Sequence, residues 1–448
     1  MRLLTNKLAH SANERNGYSR KFWLMMSAFY ALFIVRNIFS FHFPVPVYLA
    51  WVLIMALSFD DNEIKAMLVS FIPLTHAFQF KYAILICAFI WIIRRSRHFK
   101  FDFVFLSAVS LMAWEALHLG SSGSSVIEFL RGFAELIIIV VLMGIPAKGE
   151  CNVEQFTRVL AISSSVAFII LLFATVEGRG ETIMELLQRG FRFGISDGAE
   201  ETFTFNYNAN ELGFICNIAI SGLLININNK KAKIIDYAMI AFCIFIGLLT
   251  VSRTFLLCLV ISFLLYILLQ QTSVTKKIAT ITGITFAICI LLLAVVKFFP
   301  EIIENYTLRF GEEDVTGGRS YLFEIYNELV FSSPDRLLFG IGIQNIAEKA
   351  SIIMGTVIMV PHNGYQQLVV AWGIPGLILM VLFVYQIIKK ANNTNPNPRL
   401  IYYLPFLILL INILAGQFVT VSCKMLSLIL IYEILRGASR VAGEKQYE

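Results

Sequence analysis

Residues 234–270 read IIDYAMIAFCIFIGLLTVSRTFLLCLVISFLLYILLQ, and this stretch decides the fold. From Tyr237 to Gln270 its only formal charge is Arg253. A hydrocarbon core takes about 17–25 apolar residues to cross, so the stretch holds two consecutive spans joined by a tight turn at Ser252-Arg253. Lipid, or other spanning helices, must cover both.

The rest of the chain has the same character. Of 448 residues 58% are hydrophobic and 15% charged, against roughly 25% charged in soluble domains. Apolar runs recur at 22–41, 45–59, 64–77, 80–93, 102–119, 126–144, 156–176, 208–226, 278–299, 365–388, 400–416 and 418–435. The expected fold is an all-α polytopic membrane protein of about 12–14 transmembrane helices, the short runs at 64–77 and 80–93 being tilted or re-entrant. The net charge of +6 does not point to nucleic acid, because the basic residues sit in short clusters between apolar runs. Of seven cysteines, Cys87, Cys216, Cys243, Cys258, Cys289 and Cys423 lie inside apolar runs and Cys151 in a polar connector. No Cys/His spacing suggests zinc or a disulfide framework. The polar tail Met1–Lys21 lacks a signal-peptide pattern, so the first span is expected to stay in place.

Orientation follows from the basic connectors. With fourteen spans, the clusters Arg2 to Lys21, Arg94-Arg95-Ser96-Arg97, Lys230-Lys231, Lys276-Lys277, Lys389-Lys390 and Arg436 to Lys445 all fall on one side, which the positive-inside rule makes cytoplasmic. Both termini are then cytoplasmic. The chain divides into N-terminal spans (1–176), a first outside loop (177–207), central spans (208–299), a large outside loop (300–364) and C-terminal spans with a tail (365–448). Within the large extracytoplasmic loop, apolar side chains at 322, 323, 325, 326, 329 and 330 predict an amphipathic helix on the membrane surface.

Both outside loops are acidic, yet they carry Arg179, Arg189, Arg192, Arg309, Arg319 and Arg336, and Arg253 lies in an outside turn. Topology does not require cations there, so an anion is the natural partner. Arg253 and Arg319 stand at hydroxyl- or glycine-rich breaks, where a guanidinium can grip a phosphate in two places. Snorkelling to lipid headgroups is the plainer alternative. In Pro361-His362-Asn363-Gly364-Tyr365-Gln366-Gln367, Asn363 can cap a helix and Gln366 can return a capping-box bond. His362 would then precede a helix N-terminus, whose field disfavours imidazolium and leaves a neutral base. The alternative is an interfacial histidine held by loop hydrogen bonds. Arg131 has Glu128 and Glu135 at helical spacing, and Glu115 and His118 share a face, all suiting structural polar contacts. No phosphate-binding GxxxxGK[ST] loop or GxSxG elbow occurs, and the Asp60-Asp61 pair falls on the cytoplasmic side, so neither ATP hydrolysis nor a metal or other cofactor is expected.

Several of these segments resemble one family in order. His362-Asn363, nine residues, then Gly373-Ile374-Pro375-Gly376 is similar to the His-Asn-x9-Gly-x-x-Gly pattern of the O-antigen ligase and polymerase superfamily. Thr250 to Thr254 resembles its Ser-Arg segment, and Gly318-Arg319 with Phe339-Gly340-Ile341-Gly342 its Gly-Arg…Gly-x-Gly stretch. Asn208-Ala209-Asn210 resembles its Asn-Pro-Asn segment, with Ala209 in place of proline. The resemblance covers about 206–385; residues 1–200 match in hydropathy alone. It implies metal-independent glycosyl transfer in the bacterial inner membrane, from an undecaprenyl-pyrophosphate-linked glycan donor on the periplasmic face. Arg253 and Arg319 would hold the pyrophosphate and His362 would activate the acceptor hydroxyl. Arg192, Arg189 and Asn363 are further substrate-binding candidates, while Gly373, Pro375 and Gly376 shape packing.

Within the superfamily, the Pro-His-Asn-Gly and Ser-Arg-Thr-Phe segments look more like a polysaccharide polymerase, whose acceptor is a second lipid-linked repeat unit. A ligase, which uses lipid A core, is the alternative. Membrane lipids are further partners, with a chain-length regulator as an optional one. The rival from another class is a lipid-linked oligosaccharide flippase or transporter, which would favour mid-membrane charges and two similar halves.

Overall fold

The structure, a computed structural model, describes residues 18–39, 41, 43–95, 99–119, 126–145, 152–179, 182–189, 208–270, 273–311, 319–393 and 399–437. Among these no strand occurs. The helices are α1 Arg20–Ile38, α2 Val45–Ser58, α3 Asp61–Ser70, α4 Phe80–Arg95, α5 Phe103–Ala116, α6 Val126–Gly132, α7 Ala134–Gly144, α8 Val153–Arg179, α9 Ile183–Arg189, α10 Ala209–Asn228, α11 Ile234–Leu249, α12 Arg253–Leu269, α13 Val274–Phe298, α14 Pro300–Gly311, α15 Arg319–Phe331, α16 Pro334–Phe339, α17 Ile346–Met354, α18 Gly364–Asn393, α19 Leu404–Leu414 and α20 Ser422–Gly437.

The protein is an all-α polytopic membrane protein. Val153–Phe173, Ala209–Asn228 and Gly364–Asn393 are long and apolar enough to cross a bilayer unaided. Shorter apolar helices, among them Val45–Ser58, Phe103–Ala116 and Arg253–Leu269, pack around them. The two runs of the opening stretch become α11 and α12. On α12, Leu257, Val260, Leu264 and Leu268 are exposed at helical spacing, whereas Cys258, Ser262 and Tyr266 are buried. The smaller, more polar face points inward, as expected when the solvent is lipid. At the centre stands α10, buried along almost its whole length. Two of its amides bond to neighbours: Asn217 donates to the Phe255 carbonyl (3.2 Å) and Asn226 to Thr157 Oγ1 (2.8 Å).

Long-range ion pairs test the topology. Lys65 with Glu433, Arg95 with Asp61, Arg158 with Asp236 and Lys390 with Asp102 each join two helix ends that the sequence places inside. His76 with Glu211 joins two ends placed outside. The alternation of spans is therefore mutually consistent in three dimensions.

One of three local expectations changes. The run 126–144 is not one helix: it breaks at Phe133, which carries Glu135 away from Arg131, and Glu135 pairs with Lys81 at 3.5 Å. The run 64–77, expected to be tilted or re-entrant, is a short helix followed by a buried 3-10 turn at Ile72–Leu74, in keeping with an irregular membrane element that protein must cover. The amphipathic helix of the large loop exists as α15; its Tyr326, Leu329 and Val330 pack against α16, α17 and α18, while Tyr321, Phe323 and Phe331 stay exposed. The Tyr326 hydroxyl donates to the Met359 carbonyl at 2.7 Å and ties the loop to the approach to α18.

Candidate active site

The sequence expects some membrane helices to run inward from the outer face, with their N-terminal N–H groups toward that face. Three of them, α10, α12 and α18, are capped in the same way. Asn208 Oδ1 accepts from Asn210 N (2.9 Å), Ser252 Oγ from Phe255 N (3.3 Å), and Asn363 Oδ1 from Tyr365 N (3.0 Å) and Gln366 N (3.2 Å). The positive ends of these dipoles favour anions at that face.

His362 precedes the cap of α18 and is half-buried. Burial pushes its imidazole below the ordinary histidine value, and the nearby Arg319 guanidinium acts in the same direction. The expected capping box does not form. The Gln366 amide donates instead to the Phe323 carbonyl (2.7 Å) and Asn327 Oδ1 (3.1 Å), because α15 lies close enough to claim it. That bond fixes α15, whose first residue is Arg319, against the helix that follows His362. On the other flank Gln367 accepts from Phe418 N (2.9 Å) and donates to Thr420 Oγ1 (2.8 Å), so the start of α18 is also tied to the α19–α20 turn.

Arg253 is the first residue of α12, after a buried turn with a left-handed residue, Val251 (φ 50°). A β-branched residue rarely adopts that conformation, and such strain persists only where neighbours enforce it. Here Thr250 donates to the Gly247 carbonyl (2.6 Å), and Ser252 Oγ donates to Asn210 Oδ1 (2.8 Å). At Gly213 a Cβ would stand 3.0 Å from Phe255 Cβ, so the turn presses directly on α10. The Ser-Arg and Asn-Ala-Asn segments thus meet.

The paired glycines meet as well, for backbone reasons. Pro375 has no N–H, and Gly373 leaves the helical region at φ 66°, so α18 is kinked there. The carbonyls of Val370 and Ala371 lose helical partners and accept instead from Ile341 N (2.9 Å) and Gly342 N (2.8 Å). Gly340 (φ 73°) must be glycine, since a Cβ would lie 2.3 Å from the Ala371 carbonyl. Glu115 completes the junction by accepting from Trp372 Nε1 (2.7 Å) and Ile343 N (3.0 Å), while His118 reaches the Phe339 carbonyl (3.0 Å). The contact expected of Glu115 and His118 is real, and it holds the outer loop on the membrane helices.

The structure therefore brings His362 and Arg319 together and places Arg253 in a turn bonded to α10. It does not unite every candidate. Arg336 donates to the Leu329 carbonyl (2.8 Å) and Ser332 Oγ (3.0 Å) within its own loop. Arg189 ends α9 with its side chain outside the description, and Arg192 lies outside the described residues. Among the described residues no group of three or more His, Cys, Asp or Glu could hold a metal ion.

Sequence reasoning passed over three groups here. Glu211, in the first turn of α10, faces His76 (3.1 Å), and both Glu211 and Arg319 act electrostatically on Lys424 of α20. Lys424 had a signal, an ammonium within an apolar run, and such residues mark functional sites by default. Glu211 and His76 had none, because only folding makes them neighbours.

The sequence model of a protein family described as O-antigen ligase matches residues 238–381, under half of the chain. Arg253, Arg319, His362 and both glycine pairs fall inside that stretch. The match supports the ligase/polymerase superfamily and does not separate the two activities. No curated protein matches the chain.

Proposed function

We propose that this protein is a membrane glycosyltransferase of the ligase/polymerase type, moving a glycan from an undecaprenyl-pyrophosphate donor to an acceptor hydroxyl on the outer face of the bacterial inner membrane. The observation that carries the reading is His362 before the capped N-terminus of α18, its imidazole pushed below the ordinary histidine value by burial and by Arg319. An imidazole in that state accepts a proton, and the cation beside it suits a leaving group that gains negative charge.

The steps balance without a metal. The acceptor oxygen attacks the anomeric carbon from the face opposite the pyrophosphate, and its proton passes to the free ring nitrogen of His362. The bond between the anomeric carbon and the pyrophosphate oxygen breaks, and its electron pair leaves on that oxygen. Arg319 and Arg253 hold the pyrophosphate as its charge grows, with Asn363 orienting the start of α18 and Arg189 and Arg192 as further substrate contacts. A donor aimed at developing charge in a dry site is worth roughly 3–4 kcal/mol of barrier. The products are an extended glycan, inverted at the anomeric carbon, and undecaprenyl pyrophosphate.

For the acceptor we favour a second lipid-linked repeat unit, hence a polymerase, the reading carried by the Pro-His-Asn-Gly and Ser-Arg-Thr-Phe segments. A ligase acting on lipid A core is the second reading, favoured by the description of the matching family. Glycan ladders from a deletion strain decide between them: core plus one repeat unit means a polymerase, and bare core means a ligase. Complementation with His362→Ala, Arg319→Ala or Arg253→Ala, each present at normal level in the membrane, should reproduce the deletion pattern. A full ladder from these variants removes the assigned site.

A further inference from the structure

Two of the buried cations come with carboxylates: Lys65 has Glu433, and Arg158 has Asp236. Lys424 departs from that pattern. It is 4% exposed, in the first turn of α20, and its Nζ donates to the carbonyls of Asn412 (2.8 Å) and Gln417 (2.7 Å). An ammonium has three donors. Among the described residues the third has no partner, and no carboxylate lies within ion-pair distance. Its ammonium is bonded to two neutral carbonyls, with the Glu211 carboxylate acting on it only from beyond ion-pair distance, and an anion is what the third donor lacks.

Its surroundings place that anion. Arg319 acts electrostatically on both His362 and Lys424, so it lies within reach of the base and of the buried ammonium. Gly416 leaves no side chain against the ammonium, since a Cβ there would stand 3.2 Å from Nζ. Gly364, two residues after His362, packs on the same turn, where a Cβ would meet the Gly416 carbonyl at 3.1 Å.

We propose that Lys424 is a further binding residue of this site, its ammonium taking a phosphate oxygen of the lipid-linked pyrophosphate donor alongside Arg319. The inference rests on the glycosyltransferase reading above. A compact point charge suits one oxygen, while the planar guanidinium can span two, so the cations divide a pyrophosphate between them.

The test uses the full chain purified in detergent, with farnesyl pyrophosphate as probe and farnesol as the control for its tail, read by thermal stabilisation. Wild type should be stabilised by the pyrophosphate and not by the alcohol. Lys424→Gln and Lys424→Met should bind the probe about tenfold more weakly or worse, the loss expected for one charge-assisted hydrogen bond. Their melting temperatures without probe should be unchanged or higher, because an uncompensated buried charge has gone. Wild-type affinity in either variant overturns the assignment. So does a lower melting temperature without probe in both, which would make Lys424 a brace for the α19–α20 turn. If wild type itself does not distinguish the pyrophosphate from farnesol, the pyrophosphate site as a whole is refuted, which is a different failure from loss of the Lys424 role alone.

Discussion

At the scale of single residues, chemistry rests on the protonation of His362. Its value is lowered by burial first and by Arg319 second, so the base form persists to more acidic pH than for a free histidine. The rate of transfer should therefore hold down to below about pH 6.5 and fall only as His362 takes up a proton. In Arg319→Gln one of the two depressing influences is gone, and the acid limb of the residual activity should move up toward the ordinary histidine value. An unmoved limb would detach the pH dependence from this pair. Replacing the base itself, His362→Gln, should lower turnover roughly 10²–10⁴-fold at normal protein level, as measured with purified donor and acceptor.

At the scale of elements, the junction between the 340–342 segment and the kink of α18 positions the outer loop over the membrane helices. Gly340→Ala and Gly373→Ala place a Cβ within 2.3–2.4 Å of backbone carbonyl oxygens, at left-handed φ, with no flexible side chain to yield. Each should destabilise by at least about 1–2 kcal/mol, seen as a lower melting temperature in detergent. Gly283→Ala is the matched control: it meets nothing within 4 Å inside α13 and should be neutral or slightly stabilising. Glu115→Ala leaves the indole N–H of Trp372 and the amide of Ile343 without their acceptor, at about 1–3 kcal/mol each. If Glu115→Ala melts like wild type, the junction is not held in this way.

At the scale of the whole molecule, the ion pairs divide into two groups at opposite ends of the bundle, and the candidate site belongs to the end the sequence places outside. A single cysteine at Val357, which is 94% exposed in the large loop, should react with a membrane-impermeant maleimide in intact spheroplasts, in a background with its native cysteines replaced. One at Lys230, in the connector after α10, should react only after the membrane is opened. The reverse pattern would invert the topology and put the site on the wrong face for this chemistry. Arg158→Ala tests the inner network: it strands Asp236, which is fully buried, and should cost about 3–5 kcal/mol.

The sequence by itself determined the class of fold, because lipid imposes a length and a polarity on every crossing segment, and it set the expected alternation of spans. It also marked His362, Asn363, Arg253 and Arg319, since each stands at a break where a helix begins. Local spacing went wrong where tertiary neighbours outbid it: Gln366 turned from Asn363 to α15, and Glu135 from Arg131 to Lys81. Only the folded chain brought Arg319 to His362, joined Ser252 to Asn210, and closed the two glycine pairs on each other. Lys424, Glu211 and His76 became neighbours there for the same reason. Hydropathy fixes where a segment lies along the membrane normal, and packing alone fixes which segments stand side by side.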